Sequence, residues 1–182
     1  RKNGVIPHED ATVDTSVQFN MMAGAFVGGE ADYVALFEPT ATEVELARQG
    51  VVLCSIGEQS GEIPYTAYFA AQSYLTENAD TVLRFTRAIA RGQEWVYAHT
   101  DRELAEAIVG YFPDTSVEVL EKVAARYKGI RAWKETPDMK QEALERLETV
   151  MEQAGELSQR VAYEALVENE FAYHVMAEMG QK

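Results

Sequence analysis

Glu38 is the side chain whose position most demands a chemical explanation. It directly follows Tyr33-Val34-Ala35-Leu36-Phe37, an apolar run of the buried-strand type. A carboxylate there is costly unless it is hydrogen-bonded or opens on a cleft. Two roles meet that condition. It can accept N–H groups from a ligand, or it can cap the helix that Pro39 is placed to begin. Asp32, at the other end of the run, reads as a turn residue. Tyr65 and Tyr68 read as strand aromatics, and an aromatic at a strand end beside a cleft can stack on a flat ligand.

Other chemistry is scarce. His8, His99 and His174 lie far apart and show no metal-ligand spacing. Gly57-Glu58-Gln59-Ser60-Gly61 approaches the nucleophile elbow G-x-S-x-G, but Ser60 comes one place late and no histidine is placed to serve it. There is neither a Walker A loop nor a G-x-G-x-x-G. The single cysteine, Cys54, excludes an internal disulfide and any multi-thiolate metal site. The expectation is a protein with no catalytic residues, no metal and no cofactor.

The elements that must position Glu38 fall into two stretches. Residues 13–70 alternate strand and helix signals, which argues for an α/β sheet with crossover helices. The predicted strands are 13–19, 33–37, 51–56 and 65–70. Short helices are predicted over 20–28, closed by Gly28-Gly29, and from Pro39 through 43–49, with Gly50 as C-cap. Residues 57–64 read as loop. An open sheet of this kind binds ligands beyond the carboxyl ends of its strands. Phe19-Asn20, Phe37-Glu38 and the 57–64 loop are those ends, and the first two also start helices whose N–H groups suit a polar or anionic group.

From Ser73 onward the pattern is helical. Val82, Phe85, Ile89, Gly92 and Val96 share one face of a long helix beginning near Asn78. Thr100 to Glu103 and Thr115 to Glu118 are capping-box signals. The helix after the second should bury Leu120, Val123 and Tyr127 and stop at Gly129. Another should begin at Thr136-Pro137, turn Met139, Leu144, Leu147, Val150 and Met151 inward, and stop at Gly155. A shorter one comes around Tyr163 to Val167, and the tail after His174 is expected to fray or dock loosely. Trp95 and Trp133 read as packing residues.

Of 182 residues, 47% are hydrophobic and 25% charged, as in an ordinary globular protein. Thirty acidic against sixteen basic residues give a net charge of -14, which repels phosphate backbones and argues against nucleic-acid binding. No apolar run is long enough to span a bilayer, and no signal-peptide pattern is visible. The chain lacks an initiator Met, and Arg1-Lys2-Asn3-Gly4 reads as the end of a helix. An N-terminal portion is therefore expected to be absent.

The segment from Gly24 through Asp32 and Glu38-Pro39 to Thr40 resembles the "small helix, G-x-x-D, buried strand, E-P" pattern of substrate-binding proteins. These serve the nitrate/sulfonate/taurine and thiamine-pyrimidine class of ABC importers. The likeness continues in Gly61 to Tyr68, Arg84 to Trp95, Tyr127 to Trp133 and Ala154 to Leu157. The resemblance implies a type II periplasmic-binding-protein-like fold, with two α/β lobes, a solute cleft between them and a helix-rich C-terminal half. Residues 1–50 would belong to the second lobe, 51–64 to the hinge crossing and loop, and 65–182 to the completion of the first lobe. Glu38 would face the cleft, with Asn20, Thr40 and Tyr65 as further ligand-binding positions.

The implied function is the extracytoplasmic, non-enzymatic capture of a small polar solute, with ABC transporter permease subunits as partners. The full-length protein would be periplasmic or extracellular and membrane-associated. An acceptor at Glu38 leans toward an aminopyrimidine-like or amine-bearing solute over sulfonate or nitrate. A related branch makes the thiamine pyrimidine enzymatically with a cysteine-rich iron motif, which this chain lacks. That enzyme and a ligand-free interaction domain are the alternatives. Apolar helix faces without strands to cover would also favour self-association of the chain.

Overall fold

The computed structural model describes residues 4–180, and the chain divides into two compact units, Arg1–Leu53 and Cys54–Lys182. The helix end expected at residues 1–3 lies outside the described residues.

In the first unit a 3-10 turn over Phe19–Met21 leads into α1 (Met22–Val27), and α2 spans Thr40–Leu46. The predicted C-cap role of Gly50 is not observed, because α2 already ends at Ala47. Gly50 instead makes room: a Cβ there would lie 2.8 Å from Phe26 Cε1 and 3.1 Å from Val44 Cγ1. The α1 ring thus packs onto the chain that leaves α2. Thr42 is the one buried residue among those described in this unit.

The second unit begins with α3 (Ile56–Ser60), where a loop was expected. Ser55 nucleates it by accepting the Glu58 N–H at 3.2 Å. Then come α4 (Gln72–Glu77), the long α5 (Ala79–Ala98), α6 (Asp101–Ile108) and α7 (Val117–Gly129). They are followed by α8 (Gln141–Ala154), α9 (Tyr163–Leu166) and α10 (Glu170–Met179). The Thr100 capping box forms with both reciprocal bonds, Glu103 N to Thr100 Oγ1 at 3.2 Å and Thr100 N to Glu103 Oε2 at 2.8 Å. The cap of α7 is Ser116, one place after the predicted Thr115, and Ser116 Oγ accepts from Val119 N.

The core lies in this unit. Leu104 and Ala105 of α6 pack with Leu120, Val123 and Ala124 of α7, and Ala90 of α5 is buried where α5 meets α10 at Ala172 and Val175. The described tail after His174, residues 175–180, is therefore docked, and the last two residues of the expected frayed tail lie outside the described residues. Val175 is fully buried, and the Arg87 guanidinium grips the Glu178 carboxylate through two bonds of 2.7 Å. Val150, expected to face inward, is about half exposed, as is Phe85 on the apolar face of α5. Trp95 stacks on His99 and Trp133 meets Tyr127 edge to face, so both tryptophans are packing residues.

The helix-rich half agrees with the expected fold class, but its α/β part needs correction. Among the described residues no strand forms at 13–19, 33–37, 51–56 or 65–70, and the sole ladder contact is an isolated parallel bridge between Pro7 and Ala11. A strand exists only as a member of a ladder, because its N–H and C=O groups point sideways to a neighbour. Among the described residues these segments join no ladder. Local bonds also compete: Asp14 takes both the N–H and the hydroxyl of Ser16, at 2.8 and 2.7 Å, a turn-forming arrangement. At the far end of the 51–56 segment, Ile56 is drawn into α3.

Candidate functional site

Three of the four expected ligand-binding residues lie in the first unit. Asn20 sits in the 3-10 turn, exposed, and Glu38 and Thr40 are half-buried at the entry to α2. The residues just before Asn20 and Glu38 touch through their rings, with the Phe19 and Phe37 centroids 5.3 Å apart. That contact brings the two predicted strand ends side by side without a ladder between them.

Glu38 Oε2 accepts the backbone N–H of Thr42 at 3.0 Å. Pro39, in the N-cap position after a cis peptide bond, has no hydroxyl or carboxylate with which to satisfy that donor. Glu38 therefore performs the capping role from one residue further out. A carboxylate has about four acceptor sites on its two oxygens, so capping and ligand recognition are compatible roles. The cap does change what the entry to α2 can attract. Its dipole end already holds a negative group, which disfavours an incoming anion and favours a donor or a cation. Thr42, the buried donor, escaped sequence reasoning because nothing in T-A-T-E distinguishes it from its neighbours.

Tyr65, the fourth expected residue, belongs to the second unit and is 78% exposed. Tyr68 is nearby in sequence and meets Phe85 edge to face at 4.9 Å. The structure thus brings Asn20, Glu38 and Thr40 into one small region of the first unit, and places Tyr65 on an extended segment of the second.

The second unit has a cavity of its own, with a volume of ≈ 300 Å³, against the inner face of α8. Its walls include Leu144, Glu148, Arg160 and Tyr163. Glu148 is buried and accepts the Val161 N–H at 3.1 Å. Arg160 is bound to Glu152 at 2.6 Å and Thr149 at 2.9 Å, and the Tyr163 hydroxyl donates to the Met139 carbonyl. Burial pushes the Tyr163 phenol up from its ordinary value. With these groups bound internally, the cavity reads as part of the packing of α8 against the 155–163 connection. Glu148 was not predicted from sequence, since it is one of several glutamates along α8.

Among the described residues no group of three His, Cys, Asp or Glu could hold a metal ion, and Cys54 is a free, exposed thiol. No helix among them is long and apolar enough to cross a membrane.

Residues 1–103 match the family model described as NMT1/THI5 like. A protein of Bacillus subtilis (strain 168), "Putative binding protein YtlA", is 38% identical over 177 residues, covering 97% of this chain and 53% of that protein. The chain thus spans about half the length of this curated relative. No solved structure matches.

Proposed function

The chain belongs to the NMT1/THI5-like family, and from that footing we propose that it acts in the capture of a small polar solute for an ABC importer, outside the cytoplasm and without catalysis. The observation that carries this is the 38% identity, over 97% of the chain, to a protein named as a binding protein. Permease subunits are the corresponding partners. Self-association is a second consequence to test, because Tyr33, Val51 and Leu53 are exposed on extended chain.

Asn20, Glu38 and Thr40 are proposed as polar contacts for the solute, and Tyr65 as an aromatic face for one. The capping geometry of Glu38 supports a solute that brings N–H donors or positive character, and the class that fits is an aminopyrimidine or another amine-bearing heterocycle. Sulfonate or nitrate would have to approach a carboxylate.

Mass spectrometry of material co-purified with the chain should identify such a heterocycle. Calorimetry should then show that Glu38→Gln weakens it by about 1.5–3 kcal/mol, the scale of a hydrogen bond to a charged group. Unchanged affinity would remove Glu38 from the site. Preferential binding of taurine or nitrate would reverse the assignment of solute class. Conversion of the bound molecule, at a rate abolished by a single substitution, would turn the assignment toward the synthase-like enzyme.

A further inference from the structure

The first unit presents an aromatic ring to solvent beside its candidate polar contacts. Phe19 opens the 3-10 turn that carries Asn20, and it is 64% exposed. Phe37, the residue before Glu38, is 43% exposed. The two rings meet at a centroid distance of 5.3 Å with 50° between their planes. A tilted contact of this kind covers only part of a ring, and the rest of Phe19 faces water.

Both the backbone and the ring of Phe19 are held. The Met21 N–H closes the turn on the Gln18 carbonyl at 2.8 Å, and the Met22 N–H bonds to the Phe19 carbonyl. Phe37 then restricts the ring. At the other end of α1, Phe26 lies against Gly50, beside Val44 of α2. The turn and α1 are thus tied at both ends to the 37–50 stretch, which also carries Glu38 and Thr40. A ring that is already ordered loses little freedom when a ligand settles on it, so its contact energy is not cancelled by an ordering cost.

The chemistry on offer is specific. The face of a phenyl ring is its negative part, and it attracts a flat ring or a positive group. Asn20 has both donors and an acceptor, and Glu38 accepts. A planar solute with N–H groups at its rim would find an apolar face and polar partners within one unit. A tetrahedral sulfonate has no flat face to offer such a ring. Tyr65, the aromatic contact proposed above, belongs to the other unit, whereas Phe19 shares its unit with Asn20, Glu38 and Thr40.

We propose that Phe19 is a further ligand-binding residue, giving an aromatic face on which the planar ring of an amine-bearing heterocycle lies while Asn20 and Glu38 meet its polar rim. The inference rests on the solute-binding role proposed above and adds to it the residue that selects for flatness.

The test uses the full 182-residue chain and 4-aminopyrimidine as the probe. Phe19→Leu keeps apolar bulk against Phe37 but removes the face, and calorimetry should show affinity falling about fivefold, within the range of an aromatic contact beyond its area. Phe19→Tyr keeps the face and should stay within about twofold of the parent chain. In NMR spectra the ring protons of the bound probe should shift upfield with the parent chain and with Phe19→Tyr, and much less with Phe19→Leu. Amide exchange in α1 and α2 should be the same in all three chains. Equal affinity in Phe19→Leu overturns the proposal, as does a Tyr variant as weak as the Leu variant. A loss in Phe19→Leu that comes with faster exchange in α1 and α2 and an unaltered probe shift also overturns it, because Phe19 would then act through packing alone. A parent chain that does not bind 4-aminopyrimidine overturns it as well. The wider solute-binding role is judged separately on the co-purified material, and it fails only if no small molecule accompanies the chain.

Discussion

The two units are built on opposite terms. The second, Cys54–Lys182, holds every buried apolar side chain among the described residues, from Ala90 to Val175. The first, Arg1–Leu53, buries only Thr42 among those described, and leaves Tyr33, Phe37 and Val51 exposed. Apolar content does not account for the contrast, since the first unit carries its own runs at 33–37 and 51–53. Secondary structure does. A helix satisfies its backbone internally, from each N–H to the carbonyl four residues back, so its apolar stripe is free to seek a partner face. An extended segment cannot bury its apolar side chains until another segment pairs with its backbone. The same rule holds inside the second unit, where the extended 65–69 stretch is its most exposed aromatic region.

The largest expected effect tests this directly. Leu120, 2% exposed on α7 against α6, should cost about 2–5 kcal/mol on replacement by alanine. Val51→Ala, at a residue 75% exposed, should stay within about 0.5 kcal/mol. Urea unfolding of both variants gives the comparison. Similar losses would mean that 51–53 is buried in solution and that the contrast between the units is false.

A smaller effect sharpens the picture of the first unit. If α1 and α2 are held mainly by the Phe26 ring over Gly50, then Gly50→Ala forces that ring or Val44 to move. Overpacking of this kind costs about 1–3 kcal/mol, more than the ~0.4–1 kcal/mol gained by restricting the unfolded chain. Amide exchange should quicken in Met22–Val27 and Thr40–Leu46 and stay unchanged in α6 and α7. Unaltered exchange at α1 and α2 would show that some other contact holds them.

How far the sequence could be read obeys the same division. The α5, α6 and α7 helices were legible because periodicity and caps are local signals, and Thr100 with Glu103 behaves as its spacing implies. The α3 helix was missed because its Gly-rich composition reads as loop and only Ser55, as N-cap, marks its start. The docking of α10 was illegible because it depends on Arg87, 91 residues earlier. The four strands were misread for a related reason. An apolar run declares that it needs a partner without saying which segment supplies one. At the candidate site, Glu38 stood out through the cost of a carboxylate after an apolar run. Its contact with Thr42 is one of the two roles that cost allows. Phe19 read only as a strand end, since its ring partner Phe37 lies beyond any local window.

The smallest expected effect concerns that last helix and depends on pH. Glu178 is held down to about 2 from an ordinary 4.5, first by its hydrogen bond to Arg87, with His174 Nε2 at 3.0 Å as a further partner. A carboxylate whose folded value is depressed binds fewer protons in the folded state than in the unfolded one. Its contribution is therefore complete above pH 4.5 and is lost as pH falls through the window from 4.5 toward 2. The groups are partly exposed, with side chains 33% and 38% accessible, so solvent and salt screen the pair and the effect on the whole unit is modest. It should be concentrated in α10. Following the Glu178 carboxyl by NMR titration should give a midpoint near 2 in the parent chain, and a value well above that in Arg87→Met. Amide exchange around Val175 should quicken over the same acid range in the parent chain and show much less pH dependence in the variant. An ordinary carboxylate midpoint in the parent chain would show that α10 is held by its apolar face alone. The tie between α5 and α10 would then rest on packing, with the ion pair as surface decoration.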